Sequence, residues 1–484
     1  MMNKIKNNLG SPYMLIISIF VFVSVLMFCQ TKSKTDTYDR IKGPLKVSSA
    51  NPRYFEDGNG KIIYLTGSHT WSNLLDISPS DPPEPFDFNA YLDWMQKYNH
   101  NFFRLWTWES STRDTKGNSP LQRGYLEPRL LNVYPLPWAR TGPGKALDGK
   151  PKFDLNQFNN DYFERLRSSL ETALARGFYV SVMLFEGWGM QFSPGAWESH
   201  PFHPDNNING INGDLNGDGK GLEIHTLLNS DITSLQDAYV KKVIDTINDL
   251  DNVLYEISNE SHALSTEWEY HMIDLIHNYE KNKPEQHPVG MTFQYRGGSN
   301  KDLFNSRAEW ISPNEEGGYK DNPPAGDGSK VILSDTDHLW GRGGDQVWVW
   351  KSFLRGLNPL FMDPYNGGVQ GAPFDPQWDP NRKNLGYTRT YAEKMNLSKA
   401  VPHNEMASTT YCIANPGSEY IVYQPAPDSS FTVNLIKGEY IYEWFNPTSG
   451  VVEKIGRVKV DKENFSFKAP FSGDAVLYLK NVRM

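Results

Sequence analysis

Cysteine is nearly absent: the chain of 484 residues has two, Cys29 and Cys412. Cys29 lies in an N-terminal segment discussed below, so no intrachain pair is left and the fold must rest on an apolar core rather than on disulfides. Basic runs are also missing. Lys and Arg number 48 against 57 Asp and Glu, and the net charge of −9 is spread along the chain. No stripe of cations is available to a phosphate backbone, which excludes nucleic acid as a partner. No apolar run reaches the roughly 18 residues of a membrane-spanning helix. HExxH and clustered His/Cys spacings do not occur, so a metalloprotease is disfavoured and neither metal nor cofactor is expected. Internal repeats and low-complexity tracts are lacking too.

The N-terminus carries a clear signal instead. Lys4 and Lys6 precede the apolar run Met14 to Phe28, and Cys29 follows at once. This pattern reads as an export signal over residues 1–28. Leu26-Met27-Phe28-Cys29 resembles a loose lipoprotein box, so Cys29 is expected to carry lipid and fix an exported protein to a membrane of the cell envelope. Residues 29–45 would then be a polar tether.

At this length a large domain with a smaller companion is expected. From residue 46 to 403 strand-like and helix-like patterns alternate, which predicts an α/β fold, a (β/α)₈ TIM barrel of parallel strands. A hairpin turning at Asp57-Gly58-Asn59-Gly60 leads to Ile62–Leu65, the expected strand one. Strand two is expected at Phe102–Trp108, followed by a long Pro- and Gly-rich insertion to Lys152. Strand three falls at Tyr179–Phe185, four at Val253–Ser258, five at Pro288–Phe293, six at Glu309–Ser312, seven at Lys330–Ser334 and eight at Pro359–Asp363. Thr266 and Glu269 have the spacing of a capping box. Residues 404–484 change to short strand runs, such as Tyr420–Tyr423 and Tyr440–Trp444, and predict a small all-β sandwich without catalytic carboxylates.

A barrel's site lies at the C-terminal ends of its strands. His69 and Trp71 are expected there from strand one; Arg104, Trp106 and Trp108 from two; Glu186 and Trp188 from three; Asn259 and Glu260 from four; Asp335, Asp337, His338 and Trp340 from seven. Flat aromatic faces beside paired carboxyls suit a sugar ring, and an oligo- or polysaccharide is the expected partner. Cleaving a glycosidic bond needs one carboxyl to protonate the leaving oxygen and another to attack carbon or activate water. Glu260 supplies the first, and Asp335 or Asp337 the second. Arg104 can orient that second carboxylate and keep it charged. His69 and His338 are expected as supporting donors rather than metal ligands.

Tyr255-Glu256-Ile257-Ser258-Asn259-Glu260 resembles the strand-four motif of clan A glycoside hydrolases. Together with the strand-two Arg and the aromatic mouth, the barrel is similar to the apiosidase-like relatives in that clan. The resemblance implies a retaining O-glycosyl hydrolase with Glu260 as acid/base. The tail resembles a domain named for collagen binding in a collagenase, a label that implies little about collagen here. Strand seven departs from the clan: Ser334-Asp335-Thr336-Asp337 stands where the clan carries a nucleophilic Glu. Asp335 is the better positional match and Asp337 the reserve. Asp is one methylene shorter, so the carboxyl gap is expected between the retaining and inverting ranges or toward the latter. The alternative reading is a barrel that binds carbohydrate in a surface glycan-utilisation system without cleaving it. Two loops complete the reading. Asp214, Asn216, Asp218 and Gly219 match half of a calcium loop, but His225 stands where a bidentate Glu is needed. Glu315 and Glu316 read as a solvated loop.

Overall fold

The computed structural model describes residues 41–71, 73–116, 127, 129–365 and 375–483. The export signal and Cys29 lie outside them. No helix among the described residues is long and apolar enough to cross a membrane.

Eight parallel strands form the barrel: Gly67–His69, Phe102–Leu105, Tyr179–Glu186, Val253–Asn259, Val289–Thr292, Trp310–Ser312, Val331–Asp335 and Asn358–Met362, numbered one to eight below. Each pairs in parallel with its neighbour from two round to eight and back to one. No strand ladder joins one to two. The seam is stitched by Asn101, whose side chain accepts from the Thr66 amide at 3.0 Å and donates to the Tyr64 carbonyl at 2.8 Å. Gly67 lies so close to strand two that a Cβ would come within 2.2 Å of the Phe102 carbonyl, so a side chain has no room there.

Strand one is therefore not Ile62–Leu65. Ile62–Ile63 pairs antiparallel with Phe55–Glu56, which pairs with Lys46–Val47. This small sheet belongs to a buried cluster with the N-terminal residues of the barrel strands, among them Phe102, Tyr179, Leu254 and Val331. An apolar run closing a barrel's base looks, in sequence, like one lining its wall. The same cluster takes Ile41 and Leu45, so the expected tether ends in the core rather than in solvent.

The crossover helices follow the apolar period. Asn160–Ala175 is capped by Asn159, which accepts from the Asp161 amide at 3.2 Å, and buries Tyr162, Phe163, Leu166, Leu170 and Ala173 before Gly177 turns the chain at φ 76°. Each large apolar side chain so buried contributes roughly 1.5–3 kcal/mol. The capping box at Thr266 does not form: Ser265 precedes Thr266–Glu280 without a side-chain cap bond, and Glu269 is buried beside Gln294. The described parts of the insertion after strand two form strands. Thr112–Asp114 and Asp76–Ser78 flank Leu130–Tyr134 in an antiparallel sheet, and Trp138–Lys145 pairs with Pro151–Phe158.

The C-terminal region is a β-sandwich that begins slightly before residue 404. Its six-stranded sheet runs Val401–Pro402, Cys412–Asn415, Glu419–Gln424, Ala475–Asn481, Gly438–Asn446, Val451–Val460, and Phe431–Val433 pairs with Phe465–Phe467. Both faces of the central strands of the large sheet are apolar, whereas its edge strand Val451–Val460 is largely exposed. Tyr420, Val422, Trp444 and Leu477 pack on Phe431 and Phe467. Ile421, Tyr423, Phe445 and Val476 pack on Trp350, Phe353 and Tyr391 of the barrel's outer helices.

Candidate active site

A cavity of about 520 Å³ opens at the C-terminal ends of the strands. Trp71, Trp188, Glu260, Phe293, Tyr295, Glu315, Lys320, Asp337, His338, Trp340, Arg342 and Met362 are among the residues that line it. Glu260 follows strand four with left-handed backbone, φ 47°, a conformation that a residue with a Cβ adopts only when its surroundings impose it. Its carbonyl accepts from Gln191 Nε2 at 2.7 Å. Glu260 lines the cavity, and the pKa of its carboxyl is raised well above the ordinary carboxylate range, by burial first and then by the charges of Asp337 and Glu186.

Arg104 rises from strand two into a ring of acceptors. Nε and Nη2 donate to Glu256 at 2.9 and 2.5 Å, Nη2 donates to Asn259 Oδ1 at 2.5 Å, and Nη1 donates to Asp335 at 3.2 Å and Asp337 at 3.0 Å. A bidentate grip on Glu256 fixes the guanidinium plane, leaving Nη2 to reach Asn259 as well and Nη1 to reach Asp335 at the end of strand seven and Asp337 just past it.

The two aspartates play different parts. Asp335 is fully buried; both its oxygens lie 2.8–3.0 Å from His69 Nε2, and it caps Thr336–Trp340 by accepting from the Asp337 amide at 3.0 Å. Burial opposes its charge, but His69 and Arg104 outweigh burial and hold the carboxyl below its usual range. Asp335 does not line the cavity; Asp337 does. Burial pushes the Asp337 carboxyl up to about 6, with Arg104 pulling against it. Of the two aspartates that the sequence offered, the one preferred there, Asp335, is held away from the cavity, and the reserve, Asp337, lines it. The strand ends at 335 and a helix begins, so the residue at the turn is spent as its cap and the next acid is turned into the cavity.

Asn259 holds its oxygen toward Arg104 and toward His338 Nε2 at 3.3 Å. His338 also meets Ser312 Oγ at 2.7 Å, and burial lowers its pKa to about 3, so it is neutral. Six expected contact residues do not line the cavity: His69, Arg104 and Asn259, which belong to the polar ring just described, and Trp106, Trp108 and Glu186. Trp106 stacks on His69 and lies under the Arg104 guanidinium, Trp108 donates to the Thr112 carbonyl, and Glu186 caps Gly187–Phe192 through the Trp188 and Gly189 amides. Burial raises the Glu186 carboxyl to about 8.

Several residues of the site were not foreseen. Glu256 had a signal, since a lone charge inside a continuous apolar strand requires a buried counter-charge, and Arg104 is its match. Glu109 accepts from the Glu186 amide at 2.7 Å and from His225 at 3.0 Å; burial opposes its charge, but His225 and His200 hold it down at about 2. The buried Arg113 guanidinium has no hydrogen-bond partner among the described residues and lies over Trp71, Trp108 and Trp188 at 4.5–5.9 Å. Glu315, expected in a solvated loop, lines the cavity and pairs with Lys320 at 3.1 Å, whereas Glu316 accepts from the Asn300 amide. In the half calcium loop Asp214 accepts backbone amides, and His225 is committed to Glu109. Among the described residues no group of three or more His, Cys, Asp or Glu gathers to hold a metal.

Solved structures share this architecture. One described as a glycoside hydrolase is 14% identical with a TM-score of 0.57, over 91% of this chain and 98% of that one. A glycoside hydrolase family 5 protein from Bacteroides vulgatus ATCC 8482 is 13% identical with a TM-score of 0.58, over 91% and 94%. The fold is the one these glycoside hydrolases carry. Residues 130–295 match the family described as "Domain of unknown function (DUF6298)". Among curated proteins, none matches the sequence.

Proposed function

We propose that the chain hydrolyses O-glycosidic bonds of an oligo- or polysaccharide, with Glu260 as general acid/base and Asp337 as nucleophile. One observation carries the reading: two buried carboxyls line one aromatic-walled cavity at the strand ends, one kept protonated by burial and the other tied to an arginine. A protonated Glu260 donates to the leaving oxygen. Asp337, ionised beside Arg104, attacks the anomeric carbon, and Glu260 then deprotonates the water that releases the sugar. Retention follows the resemblance of strand four to the clan; the separation of the two carboxyls decides it, about 5–5.5 Å for a retaining pair and roughly 6.5–9.5 Å for an inverting one. Trp71, Trp188 and Trp340 offer flat faces to the ring.

The test is hydrolysis of an aryl-glycoside and polysaccharide panel by the wild type and by Glu260→Gln, with the anomer of the first product read by NMR. Turnover by the wild type that is lost in E260Q supports the reading. Binding without turnover by the wild type replaces it with a non-catalytic carbohydrate-binding barrel, and an inverted product removes Asp337 as nucleophile. We also propose that the enzyme is exported and anchored through Cys29, a reading supported by the charged and apolar N-terminal pattern.

A further inference from the structure

The catalytic cavity does not end at Trp340. A second concavity of about 320 Å³ lies against it and shares two of its walls, Lys320 and Trp340. Beyond them it is lined by Asp321, Asp345, Trp348 and Lys351, together with Gly344 and Val347. The Trp340 ring thus borders both spaces, meeting Trp348 edge-to-face at 5.5 Å, with Lys320 Nζ 5.6 Å from its centroid. The volume falls within the roughly 300–1,000 Å³ of small-ligand sites.

The lining indicates what fits. It pairs indole surface with two ammonium groups and two carboxylates, so an ion of either sign meets a like charge, whereas an uncharged polyhydroxylated ring finds donors, acceptors and a flat apolar face. The floor is also rigid. Helix Gln346–Leu354 begins at the Asp345 cap, which accepts from the Trp348 amide at 2.8 Å, and Gln346 donates to Asp474 at 2.9 Å and Thr448 at 3.1 Å in the β-sandwich. Lys351 donates to the Asp321 carbonyl at 3.1 Å, which ties two of the lining residues together. The C-terminal domain therefore braces the helix on which the concavity is built.

We propose that this concavity is an outer subsite for a neutral sugar ring, so that the substrate is a glycan chain running from Glu260 past Trp340 toward the β-sandwich. The proposal rests on the glycosidase reading and adds to it that the chain extends at least one ring beyond the catalytic cavity. It places no new group at the reacting bond; Asp321, Lys351 and Trp348 act on chain binding alone.

Calorimetric titration of the full chain carrying E260Q tests it, using oligomer ladders of glucan, mannan, xylan, arabinan and galactan from disaccharide to hexasaccharide. Affinity should rise with length until the outer subsite fills. The double variant D321A/K351A should lose the last increment, about fivefold for the longest oligomers at the worth of a hydrogen bond or two, and leave disaccharide binding unchanged. V347W, which fills the concavity instead of stripping it, should give the same length-dependent loss, so misfolding of one variant does not decide the matter. Affinity that stops rising once the catalytic cavity is full, or an equal loss at every length, overturns the subsite and leaves the glycosidase reading standing. Binding of no ladder, with no turnover by the wild type, overturns both.

Discussion

Replacing Asp335 and Asp337 by asparagine, one at a time, should divide stability from catalysis between two acids of the same turn. Asp335 is fully buried against His69 at 2.8 Å and Arg104 at 3.2 Å. Removing one partner of a buried ion pair costs about 3–5 kcal/mol because the other charge is left uncompensated. Arg104 keeps its two bonds to Glu256 and one to Asn259, so the loss in D335N should sit at the low end, about 3 kcal/mol. The sign with pH follows from the depressed Asp335 pKa. Its contribution is present above the unfolded value, about 3.9, and fades as pH falls toward the folded one, so the D335N deficit shrinks in acid. Asp337 behaves oppositely. With its pKa raised to about 6, ionisation at neutral pH opposes folding, so D337N should be as stable as the wild type or more so there. Its activity should fall about 10³-fold, while D335N, which shifts Arg104 without touching substrate, loses no more than about 10²-fold. Urea unfolding followed by tryptophan fluorescence and kcat/KM on one aryl glycoside read both quantities. An active D337N beside an inert D335N would refute the assignment of roles.

Three further outcomes are expected. The kcat/KM profile should be bell-shaped, falling below pH 6 or so as Asp337 takes up a proton and again at high pH as Glu260 loses its own; E260Q should raise the thermal midpoint at neutral pH, and this gain should vanish below the unfolded carboxylate pKa, about 4. Cys29→Ala should move the protein from the membrane to the soluble fraction, and unchanged fractionation would count against the anchor. The full chain should pass over immobilised collagen without submicromolar retention, since Trp444 is spent in the sandwich core rather than displayed.

Much of the barrel was legible because parallel strands buried on both faces appear as continuous apolar runs, and strands two to eight fall within a few residues of expectation. Strand one failed for the same reason: Ile62–Leu65 has the composition of a barrel strand but closes the base, and the wall segment that follows, Gly67-Ser68-His69, has little apolar signal. The candidate site was legible where a residue type is costly without a task, as with the buried Glu260 just past strand four and the buried Arg104 within strand two. It was illegible where one residue of register decides. Asp335 and Asp337 share strand parity, and only the point at which strand gives way to helix tells which one caps and which one enters the cavity. Trp106 and Trp108 were misplaced because the observed strand stops at Leu105, and beyond it alternation no longer governs direction. Glu109 with His200 and His225 joins segments far apart in the chain, and no local pattern announces it.

The two-faced sheet of the β-sandwich bears on how such a chain can be inherited. A domain with one apolar face can be gained or lost by recombination at its linker, because each half remains soluble without the other. Here Tyr423, Phe445 and Val476 complete the same cluster as Trp350 and Tyr391, so a gene cut near residue 400 leaves matching apolar surfaces bare on both products. Exchange of this module between barrels requires compensating changes on the outer helices, and the two parts are bound to diverge together.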